Sequence, residues 1–164
     1  MTTNAKPGDH LVIRPASAAD RAFLDSLNER LIQEAEVPGL TRENLATFQA
    51  RYTRSALDES PMGSKTLVAT DGAGTPLGYI HLEPAPDSLT GKTEGYVSIL
   101  AVRAESEGRG VAKRLMSEAE SWALSEGYRF LLLHVFGSNE TARRFYQGGG
   151  FLTDSLLLRR EIGN

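Results

Sequence analysis

A strand, a glycine turn and a helix follow one another directly in the second half of the chain, and this order limits the fold most. Residues 95–102, GYVSILAV, are apolar and partly β-branched, as in a strand. Gly108 and Gly110 then flank Arg109, and an amphipathic segment begins at once. Residues 129–136, RFLLLHVF, are nearly all apolar, which is typical of a central strand covered on both faces. Two strands joined by a helix form a parallel crossover, so we predict a mixed α/β domain.

The rest of the chain alternates between helical and strand patterns, in the overall order βααβββαβαβ. An antiparallel meander therefore precedes the parallel crossover, with helices on both faces of the sheet. The predicted elements are a strand at 10–15, helices capped by Ser17 and by Thr41, a hairpin of strands 64–70 and 77–83, a loop at 84–94, helices at 110–126 and 139–147, and one or two strands within 151–162.

Composition limits the classes of protein to which the chain can belong. Its 164 residues suit one domain, and 40% hydrophobic with 24% charged residues is an ordinary globular mixture. No apolar run approaches the ~20 residues of a membrane span, and no secretory core is visible. We therefore expect a cytoplasmic protein with a flexible tail at 1–9 and no membrane partner. A net charge of −3 disfavours nucleic acid and fits a small or cationic partner.

The cysteine and histidine content bears on metals and nucleophiles. The chain has no cysteine, which excludes disulfides, thiolate metal sites and a cysteine nucleophile. The histidines, His10, His81 and His134, lack the spacing of a metal cluster, so no metal is predicted. His134 lies within an apolar strand and is expected to be a hydrogen-bonded core residue.

The glycine turn has the character of an anion site. The first backbone N–H groups of a helix lack partners and carry partial positive charge, and glycines leave room for an anion to approach them. The turn is not a P-loop, which needs a longer glycine spacing and a Lys-Ser/Thr pair. Nor is it a Rossmann fingerprint, because Lys113 stands where that motif has Gly or Ala. The alternative is a glycine turn chosen only for its backbone conformation.

Two motifs resemble those of the GNAT superfamily of acetyl-CoA-dependent N-acetyltransferases. Residues 107–112, EGRGVA, are similar to its Q/R-x-x-G-x-G/A motif. Residues 139–151, NETARRFYQGGGF, match its N-x-x-A-x-x-F-Y-x-x-x-G-F segment at every fixed position, and the resemblance covers nearly the whole chain. Glu107 departs from the usual Gln or Arg, and we expect it to point to solvent or to pair with Arg103 or Arg109.

The resemblance implies the fold in more detail. It predicts a GNAT-like, mixed but mostly antiparallel sheet of six to seven strands, flanked by about four helices. The strands at 95–102 and 129–136 are expected to splay apart and leave a V-shaped gap. One N-acetyltransferase domain is expected at 10–164, after the tail.

The resemblance also implies acetyl-CoA as the co-substrate, with no metal. Its pyrophosphate is expected on the backbone amides of the glycine turn, and its pantetheine arm along the strand at 95–102. The residues implied to bind it are Leu100, Ala101, Val102, Glu107, Gly108, Arg109, Gly110, Val111, Ala112, Lys113, Asn139 and Tyr146.

Acetyl transfer to an amine needs a base for the amine and benefits from an acid for the leaving thiolate. Tyr146 matches the family tyrosine that donates this proton. The family's usual strand glutamate is missing, so Glu94, acting through water, and Ser98 are the candidates on the strand at 95–102. Glu83 and His81 remain alternatives through water, and no base is assigned.

The predicted function is transfer of the acetyl group from acetyl-CoA to a primary amine of a small molecule, an amino acid or a peptide, by direct attack in a ternary complex. Acidic residues in the segments 33–40 and 84–94 favour a cationic acceptor. The alternative is a non-catalytic acyl-CoA sensor or partner subunit. A homodimer is a further expectation, in which the apolar run at 155–158 either pairs across an interface or forms an inner strand.

Overall fold

The computed structural model describes residues 10–163, so the predicted tail at 1–9 lies outside the described residues. Within that range, five strands form one sheet in the order β1-β2-β3-β4-β5. Neighbouring strands are antiparallel except for β4 and β5, which are parallel. The strands are β1 (Val12–Pro15), β2 (Lys65–Thr70), β3 (Pro76–Pro86), β4 (Thr93–Val102) and β5 (Leu131–Leu133).

Helices cover both faces of this sheet. Short 3-10 turns at Ala18–Asp20 and Ala104–Ser106 precede α1 and α4. The mixed α/β, GNAT-like class predicted from the sequence is confirmed, with five strands in the described residues where six to seven were expected. The helices are α1 (Arg21–Ser26), α2 (Asn28–Leu31), α3 (Arg42–Asp58), α4 (Val111–Ser125) and α5 (Glu140–Gly148).

Strand β3 and strand β4 are longer than the sequence predicts, because much of the expected loop at 84–94 is paired. Pro84 faces Gly95 and Pro86 faces Thr93 in the antiparallel ladder. The ladder between β2 and β3 ends at Leu82, so this part of β3 has a strand on one side only. Proline, which has no backbone N–H, is tolerated there because the open side has no neighbouring strand to which an N–H would donate.

The C-terminal prediction is wrong in the opposite direction. Residues 151–163 contain no strand or helix, although one or two strands were expected within 151–162. A strand needs a neighbouring strand for its backbone groups, and this segment has none among the described residues.

Two cores pack on the two faces of the sheet. Helix α4 lies on one face, where Leu115 and Trp122 contact Ile80, Leu82 and Val97. Helices α1 and α3 lie on the other face, where the buried side chains are Leu24, Leu27, Ala56, Val68, Tyr79, Ile99 and Ala101. Within residues 10–163, no helix is long and apolar enough to cross a membrane.

A β-bulge at Ser98 shapes the end of β4. His81 faces Ile99 and Leu82 faces Val97, so Ser98 has no residue opposite it in β3. Pairing with β5 also stops at Val97, while β4 continues to Val102. A bulge bends its strand and increases the local twist. Among the described residues, β4 therefore has no paired neighbour on its β5 side beyond Val97, as a V-shaped opening between the two strands requires.

Candidate functional site

The glycine turn ends at the first residue of α4 and lies beside the V-shaped opening. Gly108 and Gly110 have φ of 72° and 78°, the left-handed region that favours glycine. Gly110 is the N-cap of α4 and offers no side chain to the free N–H groups of the first turn. A Cβ at either glycine would meet no atom within 4 Å, so the space around both is open. An anion therefore has access to unpaired N–H groups and to the positive end of the helix dipole.

Glu107 pairs with Arg30 of α2, a residue far away in the chain that the sequence did not suggest as its partner. The guanidinium of Arg30 also donates from Nε to the carbonyl oxygen of Val102, at 3.3 Å. Arg103 instead interacts with Glu105 at 3.4 Å. The pairing brings a positive side chain from a distant helix to the end of β4, and it offsets the negative charge of Glu107.

Tyr146 lies on α5 and is held by two aromatic neighbours. Its ring makes edge contacts with Phe145 and Phe151, with ring centroids 5.3 and 5.7 Å away. Burial raises the pKa of Tyr146 to about 12, so the phenol keeps its proton at neutral pH. Asn139 begins this helix, and its Oδ1 accepts a hydrogen bond from the N–H of Ala142 at 2.9 Å. Asn139 is thus a helix cap, and a role in cofactor binding stays a prediction.

Glu94 is engaged by the backbone at the start of β5. Its carboxylate is buried, and Oε2 accepts hydrogen bonds from the N–H groups of Arg129 and Phe130, each at 2.8 Å. A buried carboxylate that satisfies two backbone donors ties β5 to β4. Glu94 therefore has a structural role, whereas its role as a base stays a prediction.

A polar group of side chains that the sequence did not bring together lies on the α3 face of the sheet. We call Tyr52, Glu83, Tyr96, Ser98 and His134 the polar cluster. The Tyr96 hydroxyl and the His134 Nδ1 share a hydrogen bond of 2.7 Å. Burial is the main cause of the raised pKa of Tyr52 and of Tyr96, and the negative charge of Glu83 raises both pKa values further. The Tyr52 hydroxyl lies near those of Tyr96 and Ser98.

His134 is exposed, so the prediction that it is a core residue is wrong, although it does form a hydrogen bond. Strand β5 ends at Leu133, and the chain turns out of the sheet directly after it. The bulge at Ser98 also interrupts the alternation of side chains that a regular strand would have along β4. Leu100 packs on the α4 side of the sheet, while Tyr96 and Ser98 remain near Tyr52 on the other side.

Glu83 lies near the buried imidazole of His81. His81 Nδ1 shares a hydrogen bond of 2.8 Å with Thr66 Oγ1, and its Nε2 lies 3.7 Å from Glu83 Oε2. Burial lowers the pKa of His81 to about 4, so the imidazole is neutral at physiological pH. Residues 10–163 contain no group of three or more His, Cys, Asp or Glu side chains that could hold a metal ion.

Comparison with known proteins identifies the family. A family model described as "Acetyltransferase (GNAT) family" matches residues 25–151. The chain is 30% identical over 84 residues to YycN of Bacillus subtilis, an uncharacterized N-acetyltransferase, and the match covers 51% of this chain and 51% of YycN. It is 28% identical over 137 residues to the N-terminal acetyltransferase A complex catalytic subunit ard1 of Schizosaccharomyces pombe, over 82% of this chain and 69% of ard1.

A solved structure shares the fold. The structure of AAC(6')-Iy in complex with the bisubstrate analogue CoA-S-monomethyl-acetylneamine aligns with a TM-score of 0.64 and 17% identity. The alignment covers 94% of this chain and 99% of AAC(6')-Iy. At that identity the likeness concerns the fold alone.

The chain belongs to the GNAT acetyltransferase family, because the family model matches well over half of it. The family transfers acetyl groups and uses acetyl-CoA, and the protein is accordingly an acyltransferase. This membership favours an enzyme over the alternative of a non-catalytic acyl-CoA sensor.

We expect Glu94→Ala to destabilise the fold. The N–H groups of Arg129 and Phe130 lose their acceptor, and unsatisfied buried donors cost about 1–3 kcal/mol each. Urea unfolding should show a loss of at least about 2 kcal/mol. Glu126→Ala, at an exposed position, is the control and should change stability little. Unchanged stability in Glu94→Ala would contradict the structural role of this carboxylate.

Proposed function

We propose that the protein transfers the acetyl group of acetyl-CoA to a cationic primary amine, by direct attack within the opening between β4 and β5. The observation that carries this proposal is the bulge at Ser98. It opens β4 away from β5 between the glycine-capped end of α4 and the polar cluster. A thioester bound from one side of the opening would then meet an amine bound from the other.

The N-terminus of α4 fits the pyrophosphate of acetyl-CoA. The space around Gly108 and Gly110 is open, and the first N–H groups of α4 have no capping side chain. We assign the pyrophosphate to the amides within residues 107–112 that remain free, because the N–H groups of Glu107 and Arg109 already donate to Ala104 and Ser106. Lys113 and Arg30 are nearby positive charges. The pantetheine arm would lie along the edge of β4 that faces the opening, at residues 100–102. When bound, acetyl-CoA supplies the activated acetyl group as a thioester.

Tyr146 is our candidate acid. Its phenol keeps its proton because burial raises its pKa, and a proton held at the hydroxyl is what a departing thiolate requires. Phe145 and Phe151 hold the ring in one orientation.

Tyr96 and His134 are our candidates for accepting the proton of the amine, in place of Glu94. Because the pKa of Tyr96 is raised, its phenol stays protonated, and we assign it as the donor in the hydrogen bond that it shares with Nδ1 of His134. The Tyr96 oxygen can then take up the proton of the amine, directly or through water, while the Tyr96 hydroxyl proton passes to the imidazole of His134. Glu94 is less suited, because two backbone N–H groups already occupy its Oε2.

The charge and shape of the polar cluster favour a cationic amine as the acceptor of the acetyl group. Glu83 places a carboxylate beside Tyr52 and Tyr96, and an ammonium group is drawn to such a carboxylate before it is deprotonated. Phe48 stacks on Tyr52 with ring centroids 5.8 Å apart and is exposed, which adds an apolar surface next to the carboxylate. Ard1 is named as a catalytic subunit of an N-terminal acetyltransferase complex, and the bisubstrate analogue bound to AAC(6')-Iy is named as an acetylneamine joined to CoA.

The cofactor site predicts a difference between the two ends of α4. Gly110→Glu places a carboxylate where we assign the pyrophosphate, so acetyl-CoA affinity should fall at least about tenfold by calorimetric titration. Gly127→Glu is the matched control, because Gly127 also has a positive φ, 76°, and open space around it, but lies past the opposite end of the helix. Equal affinity in both variants would contradict the assigned site.

The assignment of Tyr146 as the acid predicts that its removal lowers turnover without weakening acetyl-CoA binding. Tyr146→Phe should lower kcat about 100-fold, while acetyl-CoA affinity changes less than about twofold. Thiol release from acetyl-CoA measures the reaction cleanly because the chain has no cysteine of its own. The amines tested would be lysine, a peptide with a free N-terminus and an aminoglycoside. Tyr128→Phe is the control, and equal turnover in the two variants would remove Tyr146 from the chemistry.

The assignment of His134 as a proton acceptor predicts a loss of activity that depends on pH. His134→Ala should lower kcat/KM about 100-fold near neutral pH. The defect should shrink toward about pH 9 and above, where a growing share of amine acceptors has lost the proton without help. Glu94→Gln should keep the pH profile of the wild type. The reverse result, a normal profile in His134→Ala and a shifted one in Glu94→Gln, would return the base to Glu94.

A further inference from the structure

The chain between α2 and α3 makes contacts on both sides of the opening between β4 and β5. We call residues 30–36 the bridge, which begins in α2 and continues past the end of that helix. At its first residue, Arg30 donates from Nε to the carbonyl oxygen of Val102, the last residue of β4, at 3.3 Å. The same guanidinium pairs with Glu107 of the glycine turn. One end of the bridge is therefore fixed on the β4 side of the opening.

The other end of the bridge is fixed to the chain that follows β5. Ser138 lies in the turn between β5 and α5, and its Oγ accepts a hydrogen bond from the N–H of Glu36 at 2.8 Å. The same hydroxyl donates to the carbonyl oxygen of Glu34, also at 2.8 Å. A hydroxyl can do both because it is a donor and an acceptor at once. A single side chain thus satisfies backbone groups of two bridge residues.

An apolar cluster joins the bridge to the same part of the chain. Ile32 and Ala35 of the bridge are buried together with Leu45 of α3, and Phe136 packs on this cluster from the chain after β5. Apolar contact brings two segments together but does not fix their relative position, because it has no preferred direction. The two hydrogen bonds of Ser138 supply that direction.

The turn that carries Ser138 is held in place by its own hydrogen bonds. The N–H of Asn139 donates to the carbonyl oxygen of Phe136 at 3.0 Å, and Arg143 Nη1 donates to that of Gly137 at 3.0 Å. Asn139 is the cap of α5, the helix on which Tyr146 lies. Ser138 therefore connects the bridge to the start of the helix that carries our candidate acid.

We propose that the bridge closes the end of the opening where β4 and β5 no longer pair, and that Ser138 is a positioning residue for the acceptor, an inference that rests on the proposed function. The bridge leads into α3, which carries Tyr52 of the polar cluster. With both of its ends fixed, the bridge confines the acceptor beside this cluster and holds the amine near the thioester. Ser138 acts through the backbone of Glu34 and Glu36, not on a reacting atom.

The charge of the bridge agrees with a cationic acceptor. Glu34 and Glu36 are exposed, and they add negative charge to that of Glu83 in the polar cluster. The positive charge of the bridge, at Arg30, is paired with Glu107 on the cofactor side. Loss of the Ser138 hydrogen bonds should therefore weaken the binding of the acceptor and leave that of acetyl-CoA unaffected.

Steady-state kinetics of the full chain, with the amines named above, test this division. Ser138→Ala removes both hydrogen bonds and should raise the KM of the acceptor at least about fivefold, with a smaller change in kcat. Its affinity for acetyl-CoA, measured by calorimetric titration, should change less than about twofold. Ser138→Thr keeps the hydroxyl and should restore the KM of the acceptor to within about twofold of the wild type.

Ser121→Ala is the matched control, because it removes an exposed hydroxyl of α4 that donates only to the carbonyl oxygen of Ser117. It should leave both constants unchanged. An acceptor KM that is normal in Ser138→Ala, or that Ser138→Thr fails to restore, would overturn the positioning role.

Hydrogen–deuterium exchange tests the bridge without any substrate, so its outcome is separate from that of the proposed function. Ser138→Ala frees the N–H of Glu36, and exchange within residues 33–37 should become at least about tenfold faster while α4 is unchanged. Equal exchange in wild type and variant would overturn the bridge even if acetyl transfer is observed. Faster exchange in a protein that acetylates no amine would contradict the proposed function and the positioning role, while the bridge itself would stand.

Discussion

The bulge at Ser98 is the constraint on which the rest of the site depends. It lets β4 pair with β3 along its full length while pairing with β5 over only a few residues. A regular strand would hold both neighbours and close the gap between them. The same irregularity changes which side chains face which helix. Leu100 then packs toward α4, while Tyr96 and Ser98 stay beside α3.

The two ends of the opening differ in their electrostatics. At one end, α4 begins with glycines and unpaired N–H groups, so the backbone itself is positive there. Arg30 reinforces this charge from α2 and neutralises Glu107, the residue that departs from the motif. At the other end, Glu83 makes the polar cluster negative. An anionic phosphate and a cationic amine are therefore favoured at opposite ends.

The proton chemistry depends on burial as much as on residue type. Three tyrosines near the opening, Tyr52, Tyr96 and Tyr146, all have a raised pKa because they are withdrawn from water. They are therefore hydrogen-bond donors rather than anions at neutral pH. His134 is the exposed imidazole beside them, and the neighbouring histidine at 81 is buried and kept neutral. Histidine thus occupies a buried position at residue 81 and, in the mechanism that we propose, the proton-accepting position at residue 134.

The sequence by itself determined the parts that depend on local pattern. The glycine turn, the amphipathic α4 and the mixed α/β class follow from periodicity and from the conformational freedom of glycine. The tertiary structure alone decided the rest. The Arg30–Glu107 pair joins residues far apart in the chain, Tyr96 contacts His134, and Glu94 accepts hydrogen bonds from the two residues before β5. These contacts follow from the register of the strands, and a bulge that shifts this register by one residue has no distinct local pattern to reveal it.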